Sequence, residues 1–131
     1  MVSKQIYCGD VFEFSPKHLI DPTVQMEAVI DKGCLIALEP HMRDAYFQVI
    51  QQFICKVPKC RYLCALYEHT MDTGPPHVVP LEYVCTVLSR LGFKMINYFI
   101  GEDFSGLSNE IENMRREMTD VYKENAYLFA K

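Results

Sequence analysis

The chain has 131 residues, half of them hydrophobic, and a formal net charge of −4. This length and composition predict one folded domain over residues 1–131 rather than a disordered tail. The acidic balance argues against nucleic acid as a partner, and charges interrupt the apolar runs well before the roughly 20 residues that a membrane span needs.

The first residues contain no apolar stretch that could act as a signal peptide, so we expect a soluble, cytoplasmic protein. In that compartment the six cysteines stay reduced, and those within apolar runs behave as small hydrophobic residues. A zinc site is the alternative interpretation, although no Cys-x-x-Cys pair is present. Its ligands would be Cys55, Cys60, Cys64 and His69.

The first elements in chain order are two short strands joined by a connector. The sequence predicts a strand at residues 6–8 and, at residues 9–12, the segment by which the chain leaves that strand. Residues 15–25 contain prolines and show little periodicity, as is typical of a connecting segment. Residues 28–30 form an apolar run that ends in a polar turn, which predicts a buried parallel strand.

Two helices are predicted to begin at a proline. Apolar residues recur at helical spacing over residues 42–54, behind Pro40, and over residues 81–91, behind Pro80. Gly92 is placed to end the second helix.

The remaining apolar runs complete an alternation of strands and helices. Residues 62–66 predict a second buried parallel strand, and residues 93–100 and 127–129 predict two more strands. Residues 107–122 show helical spacing again. This alternation predicts an α/β doubly wound class.

Charged residues near the strand ends are the first functional candidates, because ligands of open α/β sheets bind beyond the carboxyl ends of the strands. Asp31 and Lys32 follow the strand at 28–30, and Arg43 lies in the first turn of the next helix. An arginine there opposes the helix dipole, so helix stability does not explain it. An exposed arginine with no special task is the alternative interpretation.

A loop rich in proline follows the strand at 62–66. Residues 68–80 include Gly74, Pro75 and Pro76, and proline lowers the entropy lost when such a loop becomes ordered. A loop ordered in advance at a strand's carboxyl end makes a good pocket wall. His77 adds a flat ring that can stack on a substrate and a proton that titrates near neutrality.

The chain resembles the thiopurine S-methyltransferase family at five places that occur in the family's order and at nearly its spacing. They are Tyr7-Cys8; Ile30-Asp31-Lys32-Gly33 with Ala37-Leu38-Glu39-Pro40 and Arg43; Leu63-Cys64-Ala65-Leu66; Gly74-Pro75-Pro76 with Pro80; and Tyr127-Leu128. Only the carboxyl-terminal half of the family is matched. The resemblance implies a partial doubly wound, Rossmann-like methyltransferase sheet, mostly parallel, with an antiparallel last strand and without the family's first two strands.

The same resemblance implies S-adenosylmethionine as cofactor and a set of site residues. These are Asp10, Val11 and Asp31 for the cofactor, Arg43 for catalysis and substrate binding, and Pro75, Pro76 and His77 for the substrate. The family usually has a small hydroxyl residue in place of Asp10 and an aromatic residue in place of His77. From the residues alone, Gly9-Asp10 is more typical of a turn.

The implied function is an S-adenosylmethionine-dependent S-methyltransferase acting on thiopurine-like aromatic or heterocyclic thiols. The alternative is a catalytically silent module of the same ancestry that binds a partner through a sheet edge or the proline loop. The family's second arginine precedes a tryptophan, and this chain has no tryptophan. Arg115 or Arg116 could replace that arginine, although the solvated face of a helix is their ordinary interpretation.

The glycine turn that opens cofactor binding in this superfamily has no counterpart in the sequence, whose six glycines stand singly. Without the first two strands, the strands at 6–8 and 26–30 would have unpaired edges. We therefore expect these two strands to pair directly, or the chain to associate with itself through that edge.

Overall fold

The structure is a computed structural model that describes residues 4–54, 56–69, 75–101 and 122–131. The strands and helices are β1 (Ala28–Asp31), α1 (Cys34–Ala37), α2 (Arg43–Ile54), β2 (Arg61–His69), α3 (Leu81–Arg90), β3 (Lys94–Ile100) and β4 (Tyr122–Ala130). Short 3₁₀ turns lie at Val11–Glu13, Pro16–His18 and Pro40–Met42. The predicted helix at 107–122, with Arg115 and Arg116, lies outside the described residues except for Tyr122, which begins β4.

The four strands form one sheet in the order β1-β2-β4-β3. β1 runs parallel to β2, with Asp31 opposite Cys64, and β4 runs antiparallel to both β2 and β3. The α/β class and the antiparallel last strand are confirmed. β1, β2 and β3 run in the same direction, so the predicted mostly parallel sheet is confirmed among the described strands, with β4 inserted between β2 and β3.

β1 confirms the predicted parallel strand, but its predicted burial is wrong. Ile30 is 74% exposed, and Ala28 is exposed as well. No strand among the described residues pairs with the outer edge of β1. An apolar run therefore forms an edge strand here.

The strand predicted at residues 6–8 is also wrong. This segment is extended without ladder partners, and Ile6 is 96% exposed. Its predicted pairing with residues 26–30 does not form. The Tyr7 hydroxyl instead accepts a hydrogen bond from the Ile20 amide at 3.3 Å, so the segment lies along the connector rather than along the sheet.

The core lies between one face of the sheet and the helices α2 and α3. Alternate β2 residues Tyr62, Cys64 and Leu66 point into it, as the period of two in a strand requires. The helix predicted at 42–54 is confirmed, with a 3₁₀ turn from Pro40 before α2. The helix predicted at 81–91 is confirmed as α3, and Gly92 follows it with a φ of 89°.

The described cysteines are all free thiols, namely Cys8, Cys34, Cys60, Cys64 and Cys85. No group of potential metal ligands occurs within the described ranges, and Cys55 of the alternative zinc site lies outside them. None of the helices described is long and apolar enough to cross a bilayer. The cytoplasmic location stays a prediction.

Candidate functional site at the carboxyl ends of β1 and β2

The turn after β1 depends on a glycine. Gly33 has a φ of 108°, a conformation that residues with a Cβ rarely adopt. It directly precedes α1, which begins at Cys34. The chain therefore turns at the carboxyl end of β1 and enters the short helix α1.

Asp31, the last residue of β1, is buried in the core and only 4% exposed. Its Oδ2 accepts hydrogen bonds from the hydroxyls of Tyr46 and Tyr62, each at 2.8 Å. Its Oδ1 accepts one from the Leu35 amide at 3.2 Å. Three donors converge on its two oxygens, which is how a buried carboxylate replaces its lost water.

The two phenols are held in their neutral, donating form. Burial, followed by the charge of Asp31, raises the pKa of Tyr46 and also that of Tyr62. Burial and Asp31 likewise raise the pKa of the Cys34 thiol. Cys34 therefore stays protonated near neutral pH and is poorly suited to act as a nucleophile.

The proline loop is fastened beside this cluster at two points. The His77 amide donates to the Ile36 carbonyl of α1 at 2.7 Å. The Arg43 guanidinium donates to the Val78 carbonyl at 3.2 Å. Pro76 and His77 are half-buried and Pro75 is exposed, while Gly74 lies outside the described residues.

Arg43 is buried and only 5% exposed, so its alternative interpretation as an exposed arginine is wrong. It is the first residue of α2. The next residue, Asp44, accepts a hydrogen bond from the Tyr83 hydroxyl of α3 at 2.7 Å. The start of α2 is therefore tied to both the loop and α3.

Asp10 and Val11 lie at the 3₁₀ turn Val11–Glu13, which packs against α2 and the core. The Asp10 carboxylate accepts from the Phe12 amide at 2.9 Å and caps the 3₁₀ turn, which confirms the turn interpretation. Phe14, just beyond, stacks on Phe53 at a centroid distance of 5.1 Å. Phe53 lies ten residues beyond Arg43 on α2, about 15 Å along the helix axis.

The structure thus brings together Asp31, Arg43 and His77, whereas Asp10 and Val11 belong to the 3₁₀ turn at Val11–Glu13. Sequence reasoning missed Tyr46 and Tyr62. The pattern places Tyr46 in the apolar stripe of its helix and Tyr62 in an apolar strand. The available signal was a hydroxyl in each otherwise apolar pattern, because a buried phenol needs a hydrogen-bond partner.

A cavity of about 580 Å³ lies away from these residues, at the amino ends of β1 and β2. It is lined by Glu27, Ala28, Lys59, Cys60, Arg61, Ala130 and Lys131. None of the predicted site residues contributes to it. The candidate site therefore remains the group of Asp31, Arg43 and His77 at the carboxyl ends of β1 and β2. These residues were predicted from the sequence, and the structure brings them together.

Two solved structures share the fold of this chain. An S-adenosylmethionine-dependent methyltransferase from Archaeoglobus fulgidus matches with a TM-score of 0.55 at 16% identity, covering 94% of this chain and 66% of that one. A 1,6-didemethyltoxoflavin-N1-methyltransferase from Burkholderia thailandensis matches with a TM-score of 0.56 at 12% identity, covering 92% and 48%. The fold is that of the S-adenosylmethionine-dependent methyltransferases.

The sequence comparisons then narrow this class to one family. The family model for thiopurine S-methyltransferase matches residues 2–130, so the chain belongs to that methyltransferase family. The thiopurine S-methyltransferase of Pseudomonas entomophila is 35% identical over 79 residues, covering 58% of this chain and 33% of that protein. That of Pseudomonas fluorescens is 32% identical over 85 residues, covering 63% and 36%.

The matched segment spans about a third of the length of these curated relatives. That it corresponds to the carboxyl-terminal half of the family stays a prediction. The family model and the curated relatives carry the name thiopurine S-methyltransferase, and the Archaeoglobus protein is described as an S-adenosylmethionine-dependent methyltransferase.

Proposed function

We propose that this protein takes part in S-adenosylmethionine-dependent methyl transfer to thiopurine-like aromatic or heterocyclic thiols. Membership of the family supports the reaction class. The observation that carries the proposal is the convergence of Arg43, the end of β1 and the proline loop at one rim of the sheet, joined by hydrogen bonds. These groups form the acceptor side of the site.

Methyl transfer to a thiolate is an in-line displacement, in which the new carbon–sulfur bond forms as the sulfonium bond breaks. The protein must hold the reacting atoms about 3 to 3.5 Å apart and keep the thiol ionised. A nearby positive charge favours the thiolate, and we assign that role to Arg43. Pro75, Pro76 and His77 would form the wall on which the flat acceptor rests.

The cofactor supplies a methyl group on a positively charged sulfur when it is bound. Among the described residues, Asp10 and Val11 fit the adenine-side contact, because Asp10 is exposed and Val11 is half-buried. The described glycines Gly9, Gly33, Gly92 and Gly101 stand singly and form no close-approach loop. The described part of the chain therefore fits one contact with the cofactor and not its whole binding surface.

For Asp31 we propose an indirect role in place of the predicted cofactor contact. Both of its oxygens already accept hydrogen bonds from Leu35, Tyr46 and Tyr62, so its acceptor positions are occupied by the protein itself. Its carboxylate instead holds α1, which carries the carbonyl that fastens the loop.

A second candidate is a catalytically silent binding module of the same ancestry, favoured by the outer edge of β1, which lacks a partner strand in the described ranges. In either case we propose self-association through the outer edge of β1. That edge has no partner strand among the described residues and carries the exposed Ile30. Unpaired edges of this kind recruit further strands.

Calorimetry with S-adenosylhomocysteine, together with transfer of labelled methyl from S-adenosylmethionine to thiophenol, tests the proposal. Saturable heat and labelled thioether are expected if the chain carries out the reaction. If folded protein gave neither binding heat nor labelled thioether, the proposed enzymatic activity would be refuted, and the silent binding module would remain. Heat without product would place cofactor binding in this chain and overturn its role in transfer.

A further inference from the structure

Tyr46 and Tyr62 have no role in the function proposed so far, yet both hydroxyls end on the carboxylate of Asp31. We propose that these two tyrosines are positioning residues that hold the proline loop in place through Asp31. The consequence for substrate binding rests on the proposed function, whereas the geometry of the loop does not.

The first connection runs through α1. Asp31 accepts from the Leu35 amide, which orients the four residues of α1 (Cys34–Ala37). The Ile36 carbonyl of this helix accepts from the His77 amide at 2.7 Å. Since α1 is a single helical turn, its own hydrogen bonds stabilise it little. The hydrogen bond from the Leu35 amide to Asp31 therefore contributes strongly to the orientation of the Ile36 carbonyl.

The second connection runs through α2. Tyr46 follows Arg43 by three residues, so both lie on one face of the first turn of α2. Tyr46 joins this turn to Asp31, and Arg43 joins it to the Val78 carbonyl. The loop is thus held at two adjacent residues, His77 and Val78. Asp31 is connected to the first attachment through α1 and to the second through Tyr46 and α2.

Tyr62 joins the same carboxylate to the centre of the sheet. It is fully buried on β2, and its ring lies 6.2 Å from that of Phe47 on α2. A rigid, buried phenol of this kind has few alternative rotamers. It therefore fixes Asp31 relative to β2, while Tyr46 fixes it relative to α2.

Nuclear magnetic resonance of amide hydrogen exchange tests this role without cofactor or thiol. The variants are Tyr46→Phe and Tyr62→Phe, which delete one donor each and keep the ring. The control is Tyr67→Phe, which deletes a similar phenol–carboxylate bond on β2, to Glu124 at 2.9 Å. The readouts are the amides of Leu35 and His77, with Leu128 of β4 as the reference for global opening.

In both variants we expect the amide hydrogens of Leu35 and His77 to exchange about tenfold faster or more, relative to the amide of Leu128. An effect of this size is typical when a buried charged group loses a hydrogen-bond donor. Tyr67→Phe should leave them unchanged. Equal acceleration of all three amides, or no change at His77, would overturn the proposal. If Tyr62→Phe does not fold, the result with Tyr46→Phe alone tests the proposal. Tyr46 lies on the same turn of α2 as Arg43, which holds the Val78 carbonyl of the loop.

Kinetics separate this inference from the proposed function. In an active protein, Tyr46→Phe should raise the KM for the thiol more than it lowers kcat, because it loosens the acceptor wall. Faster exchange at His77 with an unchanged KM would keep the positioning role and refute the loop as the acceptor wall. Unchanged exchange together with a raised KM would refute the positioning role.

Discussion

At the scale of single residues, the site is a set of buried polar groups that satisfy one another. Asp31 and Arg43 are both almost fully buried, and a buried charge is tolerated only with hydrogen-bond partners. Asp31 has three such partners, and Arg43 contacts the loop carbonyl of Val78. Substitutions at these two positions should therefore affect different properties.

Replacing Arg43 with Ala should lower kcat/KM for an aromatic thiol by about tenfold, because loss of a nearby cation raises the thiol's pKa by about one unit. The loss should be largest below that pKa and shrink above it. Rates measured across pH 6 to 10 check this. Arg43→Lys keeps the charge and should retain part of the activity. A loss independent of pH would contradict the charge role.

Replacing Asp31 with Asn should lower the free energy of unfolding by about 1 to 3 kcal/mol, because either orientation of the new amide points its NH2 group at donors, the two phenols or the Leu35 amide. Urea denaturation measures this. Asp44→Asn is the matched control, since Asp44 accepts from Tyr83 at 2.7 Å but is exposed. Equal losses in both variants would show that burial does not distinguish the two carboxylates.

At the scale of elements, β2 joins the two halves of the sheet and carries buried titratable groups. It pairs with β1 on one side and β4 on the other. Burial, followed by the charge of Asp31, raises the pKa of Cys64 to about 12. Burial and a hydrogen bond to Glu124 raise the pKa of Tyr67 to about 12.

These shifts predict that stability falls at alkaline pH. The folded state keeps the Cys64 proton, which the unfolded chain releases near the ordinary thiol pKa of 9.0. Between about pH 9 and 12 the unfolded state therefore binds fewer protons, and the free energy of unfolding falls by up to about 1.4 kcal/mol per pH unit for this group. Urea unfolding from pH 7 to 11 measures the slope.

Replacing Cys64 with Ala should reduce that slope by the share of one thiol, because the raised pKa values of Cys34, Tyr46 and Tyr62 still contribute to it. Replacing the exposed Cys8 should leave the slope unchanged. Tyr67 is half-buried, so solvent screens its contribution. An unchanged slope in Cys64→Ala would contradict the assignment to Cys64.

At the scale of the whole molecule, the two edges of the sheet differ. β1 is a short edge of four residues beside the candidate site, and β3 is the opposite edge. If the chain associates through β1, Ile30→Lys should shift sedimentation velocity toward the monomer, because charged side chains blunt sheet edges. Ile96→Lys on β3 is the matched control, since Ile96 is 56% exposed. The proposed association through β1 would be refuted if both substitutions shifted sedimentation equally. It would also be refuted if the wild-type protein were monomeric at every concentration.

The sequence by itself determined the elements whose signals are local. The proline-started helices and the strands at 28–31, 61–69 and 122–130 follow from periodicity and turn residues within a dozen positions. The antiparallel direction of the last strand was implied by the family resemblance. The rule that ligands lie beyond the carboxyl ends of strands also selected Asp31 and Arg43.

Only the tertiary structure decided which groups meet and which strands find partners. Residues 6–8 are apolar enough for a strand but remain unpaired, because a ladder needs a neighbour that no local pattern supplies. Ile30 is exposed because it alternates with Asp31 along β1 and points to the face of the sheet away from the core. Tyr46 and Tyr62 meet at Asp31 across 15 and 31 positions of sequence, and contacts that distant arise from the packing of α2 on the sheet, which periodicity does not encode.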